Sequence, residues 1–271
     1  MKDLTGLAGY PLRIDEDTCS IALGGEMRLP GYSTRSLADL SVVLEDPAAD
    51  GPEIIYWMYR NTGLKTDAGI LEGYDLRYDL SAFRSVMLGR EYMKTSGHYH
   101  PNLPGQAEAY PEIYEVLYGE ALYVMQKVAD YGAWPSDVEV EDVIVARVKA
   151  GQKIVMPSGY GHVTINTLDR PLLMSNWVSS RFNSFYGSVV ACQGFAWYLV
   201  DEGGEPTWTA NPRYERGVPE IRVAEPQEVP ELGITWGQPM YAACAEAPEK
   251  FEFLNDPAAY EELAWANLKI Q

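Results

Sequence analysis

Histidine is scarce in this chain, with three residues in 271, at positions 98, 100 and 162. Cysteine is equally scarce. Cys19, Cys192 and Cys244 are odd in number and far apart, which argues against a disulfide framework and fits a reducing compartment. They read as small buried apolar residues rather than reactive thiols. Positive charge is short: 21 Lys and Arg stand against 39 Asp and Glu, a formal net charge of -18. Such a surface repels nucleic acid and anionic membrane, and we expect neither as a partner. It also repels a phosphate ester at long range. A phosphate site here has to rely on local groups: backbone N–H, hydroxyls, a metal ion and a few Arg or Lys. No stretch approaches eighteen consecutive apolar residues, so no transmembrane helix is expected. The first nine residues, Met1 to Gly9, lack the apolar region of a signal peptide. Together with the free cysteines, this leads us to expect a cytoplasmic protein. Internal repeats and low-complexity segments are missing as well.

What the chain does contain is β-forming segments at close spacing. A short helix is expected at Ser36–Leu40 and a strand at 53–60, rich in β-formers. A turn-rich connection follows at 61–73, then one long or two broken strands over 74–88, and a strand at 92–99. A loop with three prolines covers 101–111. Strands at 112–118 and 121–128 meet at Gly119-Glu120, a hairpin signal. Further strands are expected around 143–148, 154–156, 162–166, 172–178 and 186–200. Residues 201–255 are Pro- and Glu-rich with little periodicity. Asp256-Pro257 opens an expected helix, Asp as N-cap and Pro at N1, with Ala259, Leu263, Ala266 and Ile270 at helical spacing. Short strands separated by turn signals, without helix–strand alternation, indicate an all-β sandwich or jelly-roll barrel. The length allows one large β domain or a domain with an appendage.

All three histidines fall in one constellation. On a strand, residues i and i+2 point to the same face, so His98 and His100 project together. Glu112 opens the next strand, and an antiparallel neighbour can bring its carboxylate opposite the pair. His162 follows Pro157-Ser158-Gly159. Three imidazoles and one carboxylate suit a divalent metal ion, Fe, Mn, Zn, Ni or Co, without choosing among them. Glu108 is the rival carboxylate, nearer to the pair. Tyr114 lies two residues beyond Glu112, on the same face.

Two blocks carry a family resemblance. Gly151-x5-Pro157-x-Gly159-x2-His162-x3-Asn166 matches the second cupin motif at each fixed position. His98-x-His100, then Glu112, then Gly119 after six residues, resembles the first. The spacer between its His pair and its Glu is longer, and Tyr92 stands where a Gly is usual. Thr95-x-Gly97-His98-Tyr99-His100 with Glu112-x-Tyr114 is similar to the cupin-type phosphoglucose isomerases of archaea, over residues 10 to 215. Asn211-Pro212 resembles that family's terminal Asn-Pro. The resemblance implies a cupin domain at 1–215, a C-terminal extension at 216–271 ending in a short helix, and a cytoplasmic homodimer. It implies one divalent metal ion per chain on His98, His100, Glu112 and His162. It implies interconversion of glucose 6-phosphate and fructose 6-phosphate, in glycolysis and gluconeogenesis, with mannose 6-phosphate a possible third substrate. Glu112 and Tyr114 then have catalytic parts. Thr95 and Gly97 match phosphate-binding positions, joined by Tyr56 and Ser85, and Tyr186-Gly187 matches a Tyr-Gly of the substrate site. The family His just before that pair is Ser184 here, and the family Tyr before it becomes Trp177 or Val178. Arg181 lies nearby as a possible cation. A cupin Fe(II) dioxygenase and a non-enzymatic sugar- or metal-binding cupin are the alternatives. For the isomerase, Glu112 either takes the C2 proton to give a cis-enediol or stands by while a hydride shifts from C2 to C1.

Overall fold

In the computed structural model, which describes residues 1–28, 31–130 and 137–271, two large β-sheets face one another and close into a jelly-roll barrel. The first has six strands in the spatial order Lys153–Met156, Glu112–Tyr118, Leu172–Ser179, Leu76–Phe83, Ile54–Arg60 and Gly31–Ser36, all antiparallel. The second runs Tyr160–Ile165, Glu120–Val128, Val140–Lys149, Ile221–Pro226 and Leu268–Ile270, with one parallel pairing, Val140–Lys149 beside Ile221–Pro226.

Both faces of the six-stranded sheet are covered, which is why Glu112–Tyr118 is buried along its whole length. Tyr114 and Val116 point inward to the core between the sheets, with Phe83, Tyr123 and Met174. Ile113 and Leu117 point outward to a second core, formed with Trp177, Tyr10, Tyr241, Phe251 and Phe253. Residues 216–271 thus supply two strands of the barrel and much of this outer layer. Glu115 also faces outward and is buried. It is paired with Lys153 Nζ at 2.8 Å, and its other oxygen accepts the Met240 N–H at 2.9 Å. Burial pushes the Glu115 carboxyl up to about 7, although Lys153 opposes it.

Several expectations change. Glu112–Tyr118 and Glu120–Val128 do not form a hairpin; they belong to different sheets, and Gly119 is the corner between them. Its φ is +83°. A Cβ built there would lie 2.7 Å from the Pro171 carbonyl, so only glycine fits. Residues 92–99 are not a regular strand, because Gly97, at φ +72°, interrupts the extended run. Isolated bridges Lys94–Ile165 and His98–His162 still carry this segment along the edge of the five-stranded sheet. The connection at 61–73 contains a helix, Ala68–Gly73. The expected strand at 186–200 begins as a helix, Gly187–Ala191, before Trp197–Glu202. At the C-terminus, a 3-10 turn, Pro257–Tyr260, leads into the helix Glu261–Ala266, and Asp256 makes no capping bond. Ile270 lies outside that helix, in the strand Leu268–Ile270. Buried Asn267 makes the turn between them, with its Oδ1 accepting the Val155 N–H at 2.7 Å. The short helix near Ser36 is present as Leu37–Ser41, with a reciprocal Ser36–Asp39 capping box.

Candidate metal centre and cavity

His98 and His162 form an antiparallel backbone pair, each N–H donating to the other's carbonyl at 3.2 and 3.0 Å. That pairing sets their side chains beside one another, and His100 follows on the same side two residues later. Glu112 arrives from the facing sheet rather than from an adjacent strand. Its Oε2 lies 3.1 Å from His162 Nε2, 3.4 Å from His100 Nε2 and 3.9 Å from His98 Nε2. The Nε2 atoms of His98 and His100 are 3.0 Å apart. All four donor atoms lie within 4.8 Å of one another. Glu108 stays away, lining a separate hollow beside Trp265.

Surrounding groups fix the orientation of this set. His100 Nδ1 lies 2.8 Å from the Tyr110 carbonyl, which holds the ring with Nε2 directed inward. Asn176 Nδ2 donates to Glu112 Oε1 at 2.6 Å and leaves Oε2 for the cluster. The Tyr114 hydroxyl lies 2.9 Å from His162 Nε2. Burial holds the His98 ring well below its usual pKa and lowers His162 also. Burial acts the other way on Glu112, but the His100 and His162 rings beside it prevail and hold the carboxyl well below the usual range. The outcome is two rings, His98 and His162, held neutral beside an ionised carboxylate. Glu112 Oε2 and His162 Nδ1 are buried without a satisfying hydrogen-bond donor or acceptor among the described residues. A buried orphan oxygen facing three ring nitrogens is costly by itself and fits a cation. These four side chains therefore form a group that can hold a metal ion.

The cluster opens into a cavity. Thr95, Gly97, Tyr56 and Tyr186 line it, as does Ser184. Thr95 Oγ1 accepts the Thr164 N–H at 3.0 Å, and the Tyr186 ring lies 5.5 Å from that of His98. Ser85 is elsewhere. The chain leaves its strand after Phe83, and Ser85 Oγ donates to the Leu168 carbonyl at 2.7 Å in a different hollow. Ser81, four residues earlier, takes the place in the cavity wall. Val178 faces the cavity, whereas Trp177 points to the outer core and stacks on Tyr241 at 5.8 Å. Arg181 is not in the cavity wall; it pairs with Asp75 at 2.6 Å on the surface. The sequence reading missed Arg35, Arg60, Arg77 and Asn176, all in the wall. The period of two was the available signal: Arg60 shares the Tyr56 face of its strand, and Arg77 shares the Ser81 face of the next.

A family model described as glucose-6-phosphate isomerase (GPI) matches residues 34–216, more than half of the chain. The chain belongs to that family. The matched span of this glucose-6-phosphate isomerase family member holds the four-residue cluster and the cavity wall described above. The glucose-6-phosphate isomerase of Thermococcus onnurineus is 24% identical over 187 residues, 69% of this chain and 84% of that protein. That of Thermococcus kodakarensis is 24% identical over 214 residues, 76% of this chain and 97% of that protein. That of Thermococcus gammatolerans is 26% identical over 140 residues, 52% of this chain and 65% of that protein. Among solved structures, an oxalate oxidase in complex with glycolate aligns at a TM-score of 0.31 and 19% identity, over 42% of this chain and 46% of that one.

Proposed function

We propose that this chain interconverts glucose 6-phosphate and fructose 6-phosphate at the cavity beside His98, His100, Glu112 and His162. The observation that carries the reading is the convergence of three Nε2 atoms and one unsatisfied carboxylate oxygen within a span matched by the isomerase family. Those four side chains would hold one divalent ion, Fe, Mn, Zn or Ni. When bound, such an ion supplies Lewis-acid polarisation of the substrate oxygens on C1 and C2.

The protein's own groups then orient the sugar and manage its protons. Thr95, the Gly97 backbone, Tyr56 and Tyr186 line the space for the rest of the substrate. Burial and the nearby Glu112 carboxylate hold the Tyr114 phenol well above its usual pKa, so it stays protonated and can donate to a substrate oxygen. A carboxylate held well below its usual pKa is a poor base at neutral pH, which disfavours Glu112 as the group that takes the C2 proton. We therefore read the hydrogen transfer as direct. The C2–H bond breaks with its electron pair, C1–H forms, and the C2 hydroxyl proton passes to the C1 oxygen. A cytoplasmic, homodimeric enzyme of glycolysis and gluconeogenesis goes with this reading through the family resemblance. No helix among the described residues is long and apolar enough to cross a membrane.

The deciding experiment is a coupled assay for fructose 6-phosphate formation with and without EDTA. Metal-replete, folded protein that forms no fructose 6-phosphate would refute the reading. Activity unaffected by exhaustive chelation would refute the role of the cluster.

A further inference from the structure

The cavity wall holds an excess of positive charge in a chain whose total is -18. Asp79, fully buried, gathers two of its cations. Arg60 Nη1 donates to Asp79 Oδ2 at 2.7 Å and Arg77 Nε donates to the same oxygen at 2.9 Å. Asp79 Oδ1 is taken by the Asn61 N–H at 2.7 Å. Arg35 donates from Nε to the Tyr56 hydroxyl at 3.3 Å and makes no ion pair among the described residues. Three guanidinium groups against Asp79 and the ionised Glu112 leave a surplus of one positive charge, before any divalent ion is counted. A phosphate monoester dianion carries about two negative charges.

A purely structural ion pair on this sheet needs one arginine for one aspartate. Here two share one oxygen, so one charge of this trio stays unbalanced. The terminal nitrogens of Arg77 have no protein acceptor among the described residues. A guanidinium fork matches the oxygens of phosphate and is less strongly hydrated than an ammonium group. The ladder also places the group well. Val178 is opposite Arg77 on one side and Glu112 on the other. Arg77 and Glu112 are therefore on one rung, two strands apart, about 10 Å at the backbone.

We propose that Arg60 and Arg77, held together on Asp79 and joined by Arg35, are the specificity-determining cations of this cavity and bind the phosphoryl dianion of the sugar substrate. The inference rests on the isomerase reading. It supplies the local charge that hydroxyls and backbone N–H groups do not, and so answers the long-range repulsion of an acidic chain. Asp79 is a positioning residue that keeps the two guanidinium groups at fixed separation.

The test is calorimetric titration of the metal-loaded protein with inorganic phosphate and with glucose 6-phosphate, alongside coupled isomerisation kinetics. The variants are Arg77→Gln, Arg60→Lys and the double substitution Arg60→Gln with Arg77→Gln. Arg77→Gln leaves Asp79 paired with Arg60 and keeps the test alive if the double variant does not fold. Each lost charged hydrogen bond should weaken both ligands about 10-fold or more, raise KM more than it lowers kcat, and leave metal content unchanged. Arg60→Lys should retain part of the affinity. Folded Arg77→Gln and double variants that bind both ligands within about twofold of wild type would overturn the proposal. Arginine-dependent phosphate binding without fructose 6-phosphate formation would refute the isomerase reading and leave the arginine site standing. Isomerisation with a KM indifferent to these arginines would do the reverse.

Discussion

Glu112→Gln separates a ligand from a base. Asn176 Nδ2 still finds Oε1, which it now meets at 2.6 Å, so the side chain keeps its orientation. The oxygen that lies 3.1, 3.4 and 3.9 Å from His162, His100 and His98 becomes an amide NH2. That group donates hydrogen bonds and cannot ligate, and the negative charge of the cluster is gone. Metal affinity should fall by at least about 10²-fold, about 2.7 kcal/mol. Activity at saturating metal then isolates the base. A general base contributes about 10²–10⁴-fold, or about 2.7–5.5 kcal/mol of barrier. Because the neighbouring rings hold Glu112 well below the usual carboxyl range despite its burial, its proton affinity is low. We expect the metal-saturated variant to lose less than about 10² in kcat. We also expect deuterium at C2 of the substrate to be retained at C1 of the product. Metal content, initial rates across a metal titration and product NMR are measured on one sample. Full exchange of the C2 hydrogen with solvent at early turnover, with a collapse beyond about 10²-fold in the metal-saturated variant, would refute direct transfer.

Three further outcomes are expected. His162→Ala removes one of the four donors and should lose most of its bound metal on dialysis; metal analysis at full retention would contradict the assignment. Gly119→Ala adds a Cβ 2.7 Å from the Pro171 carbonyl at a positive φ and should destabilise the fold by about 1–3 kcal/mol, read by denaturant titration. Burial raises the Glu115 carboxyl from 4.5 to about 7, so the folded state binds more protons than the unfolded chain between those values. Stability should therefore be greatest below about pH 4.5 as far as this group is concerned, and fall as pH rises to about 7, by up to about 3 kcal/mol. Glu115→Gln should flatten that slope, and an unchanged slope would refute the cause.

Short-range chemistry was legible in the sequence. His98 and His100 share a side because alternate residues of an extended chain do so, and the spacing of Glu112, Tyr114 and His162 carried the family. The short helix expected at Ser36–Leu40 was legible because it is a local element, and its Ser36–Asp39 capping box involves only neighbouring residues. The run of short strands announced a β-barrel. Long-range partners were another matter. Whether Gly119 folds a hairpin or turns a corner depends on Pro171, some fifty residues away. Ile270 has helical spacing, yet pairing with Ala224 makes it a strand. Ser85 lost its expected place and Ser81 took one, because the point where a strand leaves its sheet is set by neighbouring strands. Arg60 and Arg77 went unread, because only the folded sheet brings both onto Asp79. Residue type and local spacing specify which groups are offered; only the closed barrel decides which meet, because the distances that govern coordination and ion pairing run across strands and between sheets.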